Sequence, residues 1–168
     1  MNISMYRASA PRFVSMLNNL AGILDKAAAH AEARKIDPQV LLASRLYPDM
    51  FPLARQVQIA CDNAKGAVAR LAGVEVPKHE DTEKTFDELK ARIAKTVAFV
   101  NSIRPAQVDG SEEKAIHLKL GKREVDWKGM QYLLGFALPN FYFHVMTAYA
   151  ILRHNGVELG KQDYIGNP

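Results

Sequence analysis

Apolar residues recur at three- and four-residue steps through long stretches of this chain, a spacing that only amphipathic helices packed face to face can bury. In segment 4–34 the stripe is Phe13, Met16, Leu17, Leu20, Leu24, Ala27 and Ala31. Pro11 is expected to kink this helix or to start its regular part, because proline lacks a backbone donor and crowds the preceding turn. Asp37-Pro38 opens a short helix through Leu41, Leu42 and Leu46, which Pro48 closes. A second long helix begins near Pro52, with Leu53, Val57, Ala60, Cys61, Ala64, Val68 and Leu71 on its stripe and Gly73 at its end. A third is predicted to start at Asp81-Thr82, good capping residues, and carries Phe86, Leu89, Ile93, Val97, Val100 and Ile103.

The period then changes. Ile116-His117-Leu118-Lys119-Leu120 and Arg123-Glu124-Val125-Asp126-Trp127 alternate, with Gly121-Lys122 between them as a two-residue turn. The last helix is expected over 139–155, with His154-Asn155-Gly156 as its cap, followed by a short tail, 160–168. The expected architecture is all-α: an up-down four-helix bundle, with a small β-hairpin inserted before the last helix, in a single domain over 1–168.

The 168 residues suit one domain with a sizeable core. The one cysteine, Cys61, excludes an internal disulfide framework and a multi-cysteine zinc module. Apolar runs are too short to span a bilayer and the N-terminus does not read as a secretory signal, so the expectation is a cytoplasmic protein with no membrane partner. The net charge is +4, but lysines and arginines are scattered among acids, which points to a solvated surface rather than a nucleic-acid interface. No G-x-S-x-G and no glycine-rich phosphate loop occurs.

The final third carries an unusual string: Tyr132-Leu133-Leu134, Phe136-Ala137-Leu138-Pro139-Asn140-Phe141-Tyr142-Phe143-His144, Ala148-Tyr149-Ala150-Ile151-Leu152-Arg153-His154-Asn155-Gly156-Val157, then Gly160-Lys161 with Asp163. With Ser4-Met5-Tyr6, Asp49-Met50-Phe51-Pro52-Leu53 and Gln56-Val57, it resembles a bacterial family known as a domain of unknown function, grouped with the DinB/YfiT-like helical bundles. The resemblance spans nearly the whole chain. It implies an up-down bundle, often dimeric, in which many members hold a divalent metal with three histidines, one from the second long helix and two from the last. Some members are thiol-dependent transferases.

The five histidines of this chain, His30, His79, His117, His144 and His154, include no pair three or four apart. His144 and His154 are separated by about 15 Å of rise and an angular offset of about 80°, so a continuous helix cannot bring both to one ion. The second long helix has no histidine; Gln56, Gln58, Asp62 and Asn63 are its polar residues near the place of the family ligand. The triad reads as lost; a mixed site of His144, Asp62 and another oxygen donor is the alternative, and no metal or other cofactor is assigned.

His144 lies among aromatic residues and has two readings: a core histidine, satisfied by Asn140 one turn earlier, or the centre of a pocket between helices. His154 is explained by the helix dipole alone, or joins Lys161, Asp163 and Tyr164 in a site built by the tail, which otherwise serves as a clamp. Cys61, on the buried stripe, reads as inert. The leading function is small-molecule binding at a site of His144, Tyr142, Gln56, Asp62, Asn140 and His154. The alternative is a metal- or thiol-dependent transferase-like enzyme with a noncanonical site, so whether the protein is an enzyme stays open. A third reading is a structural dimer without ligand. The last helix is apolar almost all round, which predicts a homodimer.

Overall fold

The computed structural model describes residues 3–166. Helix α1, Met5–Arg34, is capped by the Ser4 side chain, which accepts from the Arg7 amide, and by Asp109 Oδ1, which accepts from the Tyr6 amide at 2.8 Å. Pro11 lies inside α1. The helix thus begins before the proline. Lys35, in the left-handed conformation at φ 54°, closes α1 with its N–H directed to the Ala31 and Glu32 carbonyls.

Helix α2, Pro38–Ala43, is capped by Asp37 but stops short of Leu46. Ser44 takes an extended backbone and its carbonyl receives the Leu53 amide at 2.9 Å, so the chain turns there into α3, Leu53–Ala72. Gly73 at φ 72° ends α3, as its sequence position predicts.

Helix α4, Phe86–Ser102, begins later than Asp81-Thr82. Thr85 and Glu88 form a reciprocal capping box that satisfies the free amides. Asp81 is drawn away to two guanidiniums, those of Arg55 and Arg92, and is not a cap. A short α5, Pro105–Val108, follows, whose spacing gave no helical stripe to read.

Strands β1, Ala115–Leu120, and β2, Arg123–Lys128, pair antiparallel in the register Ile116↔Trp127 and Leu118↔Val125. The expected turn is present, and Gly121 at φ 61° supplies its positive-φ position. Strand β2 runs directly into α6, Gly129–Tyr132, which continues through a π-helical turn, Leu133–Ala137, into α7, Leu138–His154. The last helix therefore starts well before residue 139. Pro139 has no N–H to give the preceding turn, and the Leu138 amide bonds instead five residues back, to the Leu133 carbonyl. The widened turn is where the helix absorbs the proline. Trp127 stacks on Phe136 with centroids 5.1 Å apart, tying the hairpin to this helix.

Helix α8, Lys161–Ile165, is the tail folded back on α1: Asn19 donates to the Tyr164 carbonyl at 3.0 Å and Lys26 pairs with Asp163 at 2.6 Å. The tail is thus a clamp on α1; its last residues, Asn167 and Pro168, lie outside the described residues.

The four long helices, α1, α3, α4 and the composite α6–α7, enclose one core with α3 at its centre, packed on both α4 and α7. Phe13, Leu17, Leu20, Leu53, Val57, Leu89, Phe141 and Ile151 are fully buried, and Ala60, Ala64 and Ala67 on α3 let its neighbours approach closely. Each large side chain contributes about 1.5–3 kcal/mol by leaving water. Gly129, at the join of β2 and α6, sits against backbone: a Cβ there would overlap the Ser111 carbonyl oxygen. Gly129→Ala is expected to cost about 3 kcal/mol in urea unfolding, at the severe end of overpacking. A change under about 0.5 kcal/mol, the range of an ordinary surface substitution, would show that the join tolerates a methyl group.

Candidate functional site

The structure brings two of the expected site residues into direct contact. His144 on α7 and Gln56 in the first turns of α3 are both buried, and His144 Nδ1 lies 2.6 Å from Gln56 Oε1. The tautomer follows from the next bond in the chain. Gln56 Nε2 donates to the Phe51 carbonyl at 3.0 Å, and a carbonyl can only accept. The amide oxygen must therefore face His144, Nδ1 must carry the proton, and the lone pair is on Nε2. Burial, then the nearby Arg55 charge, lowers the His144 pKa to about 4, so the ring is neutral at physiological pH. Exposed Phe51 and Phe143 flank the pair, the Phe143 ring standing edge-on to the imidazole at 5.3 Å.

The other four residues go elsewhere. Asp62 faces α4, where it accepts from Arg92 at 2.8 Å and from Lys65 at 2.7 Å. Asn140 donates to Asn63 Oδ1 at 2.9 Å, so it is not the partner of His144. Tyr142 packs edge-on against Phe141 at 5.6 Å, and burial raises its hydroxyl pKa against the opposing charge of Arg12. His154 is exposed at the far end of α7. Of four surface cavities with volumes of about 330–580 Å³, none is lined by His144.

The three-histidine metal centre implied by the resemblance does not fit these residues. Among the described residues no three His, Cys, Asp or Glu side chains come together around one point, and the Gln56 side chain is committed to His144 and Phe51. Cys61 is buried, and burial pushes its thiol up to about 12, far from a thiolate at neutral pH.

One cluster escaped the sequence reading. The Arg92 side chain, 1% exposed, donates to Asp62, Asp81 and Glu83 at 2.8, 2.9 and 3.0 Å and to the Glu80 carbonyl at 3.0 Å. Its signal was present: Arg92 falls three residues after Leu89 and four before Thr96, inside the buried stripe of α4.

The titration of His144 has a direct consequence. The group takes up a proton near pH 6.5 when unfolded but only near pH 4 when folded. Between these values the unfolded state binds more protons, so stability rises with pH, and acidification through the window costs up to about 3 kcal/mol. Urea unfolding of the protein and of His144→Gln between pH 4 and 8 measures this as a difference in slope. Parallel curves would place the imidazole in water.

A helical bundle with α3 and α7 packed together and a hairpin leading into the last helix is a DinB-like architecture. The crystal structure of a DinB family member protein from Shewanella denitrificans superimposes with a TM-score of 0.88 at 45% sequence identity, covering 97% of this chain and 92% of that one. Residues 5–165 match the model of DUF1993, a domain of unknown function, and the chain belongs to that family. No curated protein matches.

Proposed function

We propose that this protein binds a small organic molecule at the seam of α3 and α7, with His144 Nε2 accepting a hydrogen bond from it. In this reading the three-histidine centre of the superfamily has been replaced by a single oriented imidazole. The observation that supports it is the Phe51–Gln56–His144 relay, which fixes the tautomer of a buried, uncharged ring. With the proton on Nδ1, the Nε2 lone pair is the acceptor that a ligand would use. The neighbouring Phe51 and Phe143 rings, about half exposed at 55% and 54%, offer an apolar surface for the body of a ligand. The protein acts in the cytoplasm in this reading.

The test is a fragment screen by ligand-observed NMR on the protein and on His144→Gln, alongside elemental analysis after incubation with nickel, zinc and manganese. Fragments that bind the protein and not the variant support the assignment. Near-stoichiometric metal that disappears in His144→Gln would overturn it in favour of a metal-dependent transferase-like enzyme. Phe143 and Met146, exposed one turn apart on α7, also favour a homodimer through this helix. Light scattering that finds a monomer at micromolar concentration would end that reading.

A further inference from the structure

A second site lies on the opposite side of α3. The loop between α3 and α4 passes over α4 and leaves a cavity of about 580 Å³, whose wall includes Lys78 and His79 from the loop and Arg92 and Lys95 from the helix. That volume is in the range of small-molecule pockets.

The charges on this wall are unequally committed. Arg92 is held by its three carboxylates, and Glu83 also receives the Gln58 amide at 2.9 Å. Glu88 is committed to the Lys84 and Thr85 amides at 2.5 and 3.0 Å. Lys78 and Lys95 are exposed, and neither has a hydrogen-bond or ion-pair partner among the described residues. Of the wall carboxylates, Glu80 and Glu88 have no ion-pair partner among the described residues, and Glu88 is already taken by backbone amides, so two unpaired ammoniums share the wall with one uncommitted carboxylate, Glu80.

Behind them, two polar atoms are enclosed without partners, His79 Nδ1 and Arg92 Nε. Arg92 is the buried member, at 1% exposure. Buried polar atoms are nearly always paired, so these two are donors or acceptors that a group entering the cavity could satisfy. The local field is positive: the His79 pKa is lowered first by burial and then by the charges of Lys65, Lys95 and Arg92, with Asp62 opposing them.

We propose that this cavity binds a small organic anion, with its charged head between Lys78 and Lys95 and its oxygens turned towards His79 and Arg92. Ammonium groups are compact point charges that suit a phosphate or a carboxylate equally, and the cavity is larger than either head, leaving room for an organic body. This site is separate from the His144 seam and stands whether or not a ligand binds there.

Calorimetric titration at low ionic strength with two probes, inorganic phosphate and citrate, tests it. At least one probe is expected to bind, with affinity reduced about tenfold in Lys95→Ala and in Lys78→Ala and further reduced by added salt. Lys119→Ala, in the hairpin, and His144→Gln are expected to bind as the parent does. Because Lys78 and Lys95 are exposed and unpaired, their variants should fold normally. Phosphate alone binding assigns phosphate esters; citrate alone assigns polycarboxylates. Failure of both probes at millimolar concentration, or unchanged affinity in Lys95→Ala, overturns the proposal.

Discussion

Replacing Arg92 with methionine is expected to destabilise the protein by about 3 kcal/mol while keeping most of the side-chain volume. The guanidinium is 1% exposed and donates to three carboxylates at 2.8–3.0 Å. Removing one partner from a buried ionic cluster costs about 3–5 kcal/mol, since the remaining charges keep their desolvation and lose their compensation. The lower end applies because Asp62 and Asp81 are 36% and 38% exposed, and water takes over part of the work. For a chain of this length such a loss lowers Tm by about 6–12 °C. Arg92→Lys should recover only part of it, because an ammonium cannot serve three carboxylates with a planar fork. Arg92→Met unfolding within about 1 kcal/mol of the parent would mean that the carboxylates are solvated well enough to need no counter-charge.

The second large effect is in the core. Phe141 on α7 and Phe13 on α1 are fully buried and meet edge to face, with centroids 4.9 Å apart. Phe141→Ala removes the buried ring and leaves a cavity between two long helices, at an expected cost of about 3–5 kcal/mol. The edge-to-face geometry adds a coupling of about 0.5–1.5 kcal/mol, measurable as the non-additivity of Phe13→Leu and Phe141→Leu. Urea unfolding should show a lower midpoint with an unchanged slope. Strict additivity of the two leucine variants would show that the rings contribute area alone.

The helices were legible in the sequence because burial imposes their period directly. The stripes of α1 and α3 and the stop at Gly73 were read to within a residue or two, and so was the Gly121 turn, where a positive φ selects the residue type. The misreadings share a cause. Asp81, Thr82 and Pro139 are good helix starters locally, but Asp81 is claimed by arginines from two helices, Thr85 makes the capping box, and Pro139 is absorbed by a π-turn. Tertiary partners decided each case. The candidate site was partly legible for the same reason. Residue types on α3 and α7 pointed to Gln56 and His144, but the rotation of each helix about its axis sends Asp62 towards α4 and Asn140 towards Asn63. A single sequence carries the face of a helix far better than the identity of what that face meets.

The two seals on α1 bear on the order in which the chain becomes a protein. Its first turn is closed by Asp109, 103 residues later, and its middle is fastened by the Tyr164 carbonyl, 145 residues from Asn19. A ribosome releases α1 long before either partner exists. The first helix can pack against α3 and α4 as they emerge, but these two fastenings close only after residues 109 and 164 have been made. Contacts of such separation slow folding, because the long loop between the partners must close before either bond contributes.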